Sequence, residues 1–285
     1  MNTKIGNAAE VKDKKAPPAP ESFGLPHTGV ETHAHLNGKY FAQDREAALD
    51  RAKKAGLARI GQVFMSSERW ASGREYFAQH PEVFFLLAIH PTEAQNFKPA
   101  ELEAMRVAIR SDKRIKAVGE TGLDYYWQEC PPDVQREVFR KHLNLAKEAG
   151  LPVVVHCRDA VEDTFAILRE EGFKDYPLLW HCFGGDKVFA DRILEMGWHI
   201  SVPGTVTFPA NRDLRAAVAH IPLDRLMMET DCPFLTPVPH RGERNEPAYL
   251  AFTIQTMAEA KGMAPADLWT KCGETAIRFF SLDPL

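Results

Sequence analysis

The sequence predicts an α/β fold: one domain, residues 29–285, built as a closed (β/α)8 barrel of the TIM-barrel class. Three observations predict it. Short apolar runs alternate eight times with amphipathic stretches, the pattern of parallel strand–helix units. The eight units occupy roughly 250 residues, the usual length of a closed barrel. Six of the apolar runs end in His, Asp or Glu, as expected where strand ends converge on one reactive mouth. No Gly-x-Gly-x-x-Gly loop supports an open nucleotide-binding sheet instead.

The elements follow in order. Strands are predicted at residues 30–36, 58–65, 83–89, 115–120, 152–156, 177–183, 198–202 and 226–231. Helices are predicted at 44–55, 67–80, 98–110, 132–149, 159–171, 187–196, 211–220, 247–261 and 264–280. Gly56, Gly150 and Gly197 mark helix ends, and Pro81 stops the second helix. Residues 1–28 carry Lys12, Lys14, Lys15 and several prolines with few large apolar side chains, and read as a disordered leader.

Composition excludes several classes. The net charge of −4 from 35 basic and 39 acidic residues argues against a broad nucleic-acid-coating face. Short contacts at the end of a nucleic acid remain compatible with it. Five Cys without framework spacing predict a reducing, cytoplasmic setting. No apolar run reaches the length of a membrane span, and the N-terminus lacks the apolar core of a signal peptide. Nothing in the chain calls for an obligate protein partner.

The chemistry concentrates at the strand ends. His33 and His35 lie two apart on the first strand and so share a face. His90 follows the third strand, Glu120 ends the fourth, His156 the fifth, His181 the sixth and Asp231 the eighth. Gly119 and Gly122 flank Glu120 and permit a tight turn or a close approach. Imidazoles with carboxylates suit Zn, Mn, Co or Ni better than an all-oxygen Mg site. Four His and two acids exceed what one catalytic zinc takes, so two divalent ions fit better. His33, His35 and Asp231 would hold the first, His156 and His181 the second, and Glu120 would bridge. Such a pair lowers the pKa of a shared water, and Asp231 is placed to accept its proton. Arg158, Arg241 and Arg244 lie near the ligands in sequence, and guanidinium groups match phosphate oxygens. Together these features point to hydrolysis of a phosphoester. Cys157 and Cys182 each follow a ligand and are expected to face outward into helix packing.

These residues resemble the TatD family of metal-dependent deoxyribonucleases, within the amidohydrolase-like barrels. The resemblance runs from about Gly29 to the C-terminus. It rests on Glu31-Thr-His-Ala-His-Leu-Asn37, Ala88-Ile-His-Pro91, Val118-Gly-Glu-Thr-Gly-Leu-Asp-Tyr125 and Pro152-Val-Val-Val-His-Cys-Arg-Asp-Ala160. It continues through His181-Cys-Phe-Gly-Gly185, Ser201-Val-Pro-Gly204, Glu229-Thr-Asp231 and Arg244-Asn-Glu-Pro247. It implies a divalent-metal site with the ligands named above and a 3′→5′ exonuclease acting on DNA ends. It also implies that His90 and Arg158 lie by the substrate phosphate and that Glu246 shapes the loop after strand eight. Activity in the family is often described with Mg, which adds that ion to Zn and Mn as candidates. Two positions depart from the family pattern, which usually has Asp where Glu31 stands and Gly where Ala88 stands. The same site would also serve another ester, such as an aminoacyl-tRNA, and a third reading is a barrel kept as a binding scaffold. The intact ligand set speaks against the scaffold.

Overall fold

A computed structural model describes residues 16–284. Eight strands form one parallel sheet in sequence order: β1 (Gly29–Ala34), β2 (Leu57–Phe64), β3 (Val83–Leu87), β4 (Ile115–Asp124), β5 (Val153–Arg158), β6 (Leu178–Trp180), β7 (His199–Val202) and β8 (Leu226–Met228). The sheet curls until its edges meet. The Asp231 amide donates to the His33 carbonyl at 3.0 Å and the His35 amide to the Cys232 carbonyl at 2.9 Å. Three of the predicted ligands thus sit on the seam that closes the barrel.

Among the described residues, nine α-helices clothe it: α1 (Arg45–Lys54), α2 (Ser67–Gly73), α3 (Pro99–Ser111), α4 (Pro132–Ala149), α5 (Val161–Glu170), α6 (Lys187–Glu195), α7 (Arg212–His220), α8 (Leu250–Lys261) and α9 (Pro265–Phe279). Helix α4 shows why they form. Pro132 opens it, Gly150 closes it in the left-handed region, and Val138, Phe139, His142, Leu143 and Ala146 recur along one buried stripe. None of the described helices is long and apolar enough to cross a membrane.

The barrel interior follows from strand alternation. Val153 and Val155 belong to the large cluster between strands and helices, whereas Val154 points inward. Val154 meets Val30, Leu86, Leu179 and Met227, and Ala276, Phe279 and Phe280 plug this floor from the C-terminal helix.

Several boundaries differ from those predicted. The second helix divides into α2 and a 3-10 turn at Arg74–Gln79, and the tighter winding brings Phe77 against Phe64 and Phe85. Strands β6 and β8 end early, because Cys182 (φ 53°) and Asp231 (φ 55°) adopt left-handed backbone that no strand contains. Strand β4 runs on to Asp124, four residues past the predicted end. Most of the expected leader, residues 1–15, lies outside the described residues, and Ala16 to Ala19 are exposed. Its last few residues reach the barrel. Phe23 meets Phe252 edge-on at 5.3 Å, Leu25 joins the core, and Trp269 Nε1 donates to the Pro26 carbonyl at 2.9 Å.

Candidate metal centre

Glu120 is the hub of the mouth. Gly119 and Gly122 place it there by letting β4 press against β5. A Cβ at Gly119 would come 2.7 Å from the Val154 side chain. At Gly122, with φ 146°, it would come 2.0 Å from the His156 carbonyl oxygen. The two carboxylate oxygens of Glu120 face different partners. Oε2 lies 3.2 Å from His33 Nε2 and 3.8 Å from His35 Nε2. Oε1 lies 2.8 Å from His156 Nδ1, 3.2 Å from His181 Nε2 and 3.6 Å from His90 Nε2. Asp231 completes the first side, 3.3 Å from His35 Nε2 and 3.8 Å from His33 Nε2.

The structure therefore brings together all six residues expected as ligands, with His90 beside them. Among the described residues, four groups of donor atoms are tight enough for an ion: His33, Glu120 and His181; His33, His35 and Asp231; His90, Asp124 and His156; and His181, Cys182 and Glu229. Five imidazoles and four carboxylates converging at these distances, with strand ends fixing each, fit a divalent metal. Burial alone would raise the Glu120 pKa, but His181, His90 and His33 and the His156 hydrogen bond outweigh it and hold the carboxyl well below its ordinary range. Asp231 is also held low against burial, chiefly by the His35 hydrogen bond. Burial and the facing His181 lower the His33 pKa, and burial pushes His90 down to about 4.

Outer carboxylates orient the rings. Glu229 Oε2 lies 3.1 Å from His181 Nδ1 and accepts from the Ser201 hydroxyl. Asp124 Oδ2 lies 2.9 Å from His156 Nε2, and its Oδ1 accepts the Tyr126 and Trp127 amides. Glu31 acts on the backbone: Oε1 accepts the His33 amide at 2.8 Å and the Thr230 amide at 3.0 Å, across the barrel seam. Burial pushes its carboxyl up to about 8. Sequence reasoning left Asp124 and Glu229 without roles. Their signal was position, since Glu229 lies two residues before Asp231 and Asp124 four after Glu120.

The arginines part company. Arg158 lines the cavity over the site, a cleft of about 820 Å³, with its guanidinium 3.7 Å from the Tyr126 ring centre. Arg241 lies over the Phe208 ring at 4.3 Å. Arg244 binds Asp44, reaches Glu246 at 3.4 Å and donates to the Tyr40 carbonyl. Neither lines the cleft: acids and an aromatic ring within the loops satisfy them. Glu246 shapes that network, accepting from Arg51 at 2.7 Å. Cys157 packs against Thr164 as expected, yet its edge lines the cleft. Cys182 does so too, because the strand has already ended and alternation no longer sets its direction. Burial raises both thiols, Cys157 to about 11.

A (β/α)8 barrel whose strand ends present these donors is the scaffold of a metal-dependent hydrolase. The chain belongs to the TatD-related DNase family, whose model matches residues 30–281. It is 37% identical over 253 residues, 89% of this chain and 99% of the relative, to the uncharacterized metal-dependent hydrolase YabD of Bacillus subtilis. It is 33% identical, over 88% of this chain and 98% of the relative, to the 3′-5′ ssDNA/RNA exonuclease TatD of a Rahnella strain. The solved structure of YJJV, a TatD homolog from Escherichia coli, superposes with a TM-score of 0.83 at 27% identity, covering 90% of this chain and 99% of that one.

Proposed function

We propose that this protein is a cytoplasmic, divalent-metal-dependent exonuclease that removes nucleotides from the 3′ ends of single-stranded DNA. The observation that carries this reading is the divided carboxylate of Glu120, at the base of an open cleft walled by Arg158. His33, His35 and Asp231 would hold one ion, His156 and His181 the other, with Glu120 shared; Zn, Mn and Mg are the candidates. Divalent ions at such donors polarise phosphoryl oxygens and lower the pKa of water. The Rahnella relative, a 3′-5′ ssDNA/RNA exonuclease by name, supports a nucleic-acid substrate.

The chain's own groups then do the following. The Arg158 guanidinium meets the phosphate oxygens and fixes the phosphorus over Glu120. Neutral His90 presents Nε2 beside the same place. As the water oxygen bonds to phosphorus, its proton passes to a carboxylate oxygen of Asp231, which its neighbours keep ionised. The P–O3′ bond breaks, and the 3′ oxygen of the shortened strand takes a proton from solvent.

The test is single-turnover digestion by metal-stripped protein reloaded with Mg, Mn or Zn. The substrates are 5′-labelled single-stranded DNA and, in parallel, an aminoacyl-tRNA. Metal-dependent shortening of the DNA, lost in Asp231→Asn, is the expected result. Intact DNA with released amino acid would move the function to a carboxylic ester at the same site.

A further inference from the structure

Among the described residues, five aromatic side chains are more than a third exposed: Tyr40, Tyr76, Tyr126, Trp127 and Phe234, at 37–52%. All five stand around the mouth, and the floor has none. Leaving large rings in water forgoes the gain from burying them, so their gathering at one end needs a cause.

They form two platforms. On the β4 side Tyr126 and Trp127 follow Asp124, which fixes their backbone amides at 3.0 and 2.9 Å while also touching His156. Arg158 covers Tyr126 at 3.7 Å and stands 5.6 Å from Trp127. On the seam side Phe234 comes three residues after Asp231, its ring 6.4 Å from His35 and 6.2 Å from Tyr40. Phe234 is also a shared wall. It lines the cleft over the metal site and a second cavity of about 560 Å³ that contains Lys39, Tyr40, Arg45 and Tyr76. Lys39 Nζ lies 5.4 Å from the Tyr40 ring and the Arg45 guanidinium 4.3 Å from that of Tyr76.

Rings backed by cations on both sides of a phosphoester site suit a ligand that alternates flat bases with anionic links. Bases still paired in a duplex stack on one another and would reach neither platform. We propose that the mouth holds a single strand by two stacking subsites: one base on Tyr126 and Trp127, and the base across the scissile bond on Phe234 and Tyr40, in the second cavity. Arg158 meets the scissile phosphate between the two bases, and Lys39 meets the neighbouring phosphate. This rests on the nuclease reading and adds to it the residues that choose an unpaired strand.

The test reads stacking apart from cleavage. The Asp231→Asn protein is titrated with a trinucleotide carrying 2-aminopurine at its last or its middle position, and fluorescence reports stacking on a ring. The expected result is quenching at both positions. Phe234→Ala abolishes it at one and Trp127→Ala at the other, each weakening binding about tenfold, and Phe234→Trp restores it. Quenching that survives both alanine variants overturns the proposal. Wild-type digestion of the same trinucleotide separates the two readings. Cleavage without quenching removes the subsites and keeps the nuclease. Quenching without cleavage removes the nuclease and keeps the subsites. Neither signal overturns both.

Discussion

On β5, Val154 lies in the apolar floor, and two residues further on, facing the same way, stands His156. Leu179 and His181 repeat this step at β6, and Met227 and Glu229 at β8. Two residues carry each strand about 7 Å. Over that distance the interior changes from side chains that only exclude water to a cluster of buried rings and carboxylates. The floor gains stability from burial. The mouth gives some up, because its ionisable groups leave water and are repaid only through one another or a cation. One barrel therefore separates the residues that hold it together from those that act, and substitutions at the two ends should differ in kind.

The largest effect belongs to the floor. Phe280 is fully buried, 4.9 Å from the Phe84 ring and 4.8 Å from that of Phe279. Phe280→Ala should cost about 3–5 kcal/mol of stability through lost contact and residual cavity. Urea unfolding would measure it, with kcat per folded molecule unchanged. A fall in kcat below the unfolding transition would mean that the floor tunes the mouth, and the separation would break.

Glu229 tests the boundary from the other side. It is buried beside floor residue Met227, yet it bonds His181. Glu229→Gln should weaken metal binding about 10–100-fold, the usual cost of losing a carboxylate behind a ligating ring. Competition against a chelating dye reads this directly. Unaltered affinity with lowered stability would assign Glu229 to the scaffold.

The same two-residue step explains what the sequence disclosed. A ligand placed after an apolar run announces itself, so β1, β3, β4, β5, β6 and the β8 loop could each be read with their His or acid. The barrel followed from counting those runs. Asp124 escaped because Gly122 reads as a turn, whereas its φ of 146° lets β4 continue past Glu120. Cys182 was misdirected because alternation was carried beyond the strand's true end. Arg244 reads as a phosphate contact in the sequence because its partner Asp44 lies 200 residues away. Tyr126, Trp127 and Phe234 were invisible as a set, since exposure is a property of the folded surface and no local pattern marks it.

The smallest effect tests charge at the floor end, where ion pairing should serve stability alone. Asp112 is buried just before β4 and takes a forked pair of bonds from Arg114, Nε at 3.0 Å and Nη2 at 2.9 Å, with the Arg114 amide at 3.1 Å. Burial would raise its pKa, but the Arg114 bonds outweigh burial and hold it below the ordinary carboxylate value. The unfolded chain therefore takes up this proton first as pH falls. The stabilisation is complete above the unfolded pKa of about 4 and disappears as pH drops through the lower folded value. Because Arg114 is partly exposed, about 1 kcal/mol is expected. Asp112→Asn should lower stability by that amount at neutral pH and converge with wild type in acid, with metal affinity the same in both. Parallel acid limbs would remove Asp112 from the account. A change in metal affinity would show that charge at the floor is felt at the mouth, and that the two ends are less separate than their side chains suggest.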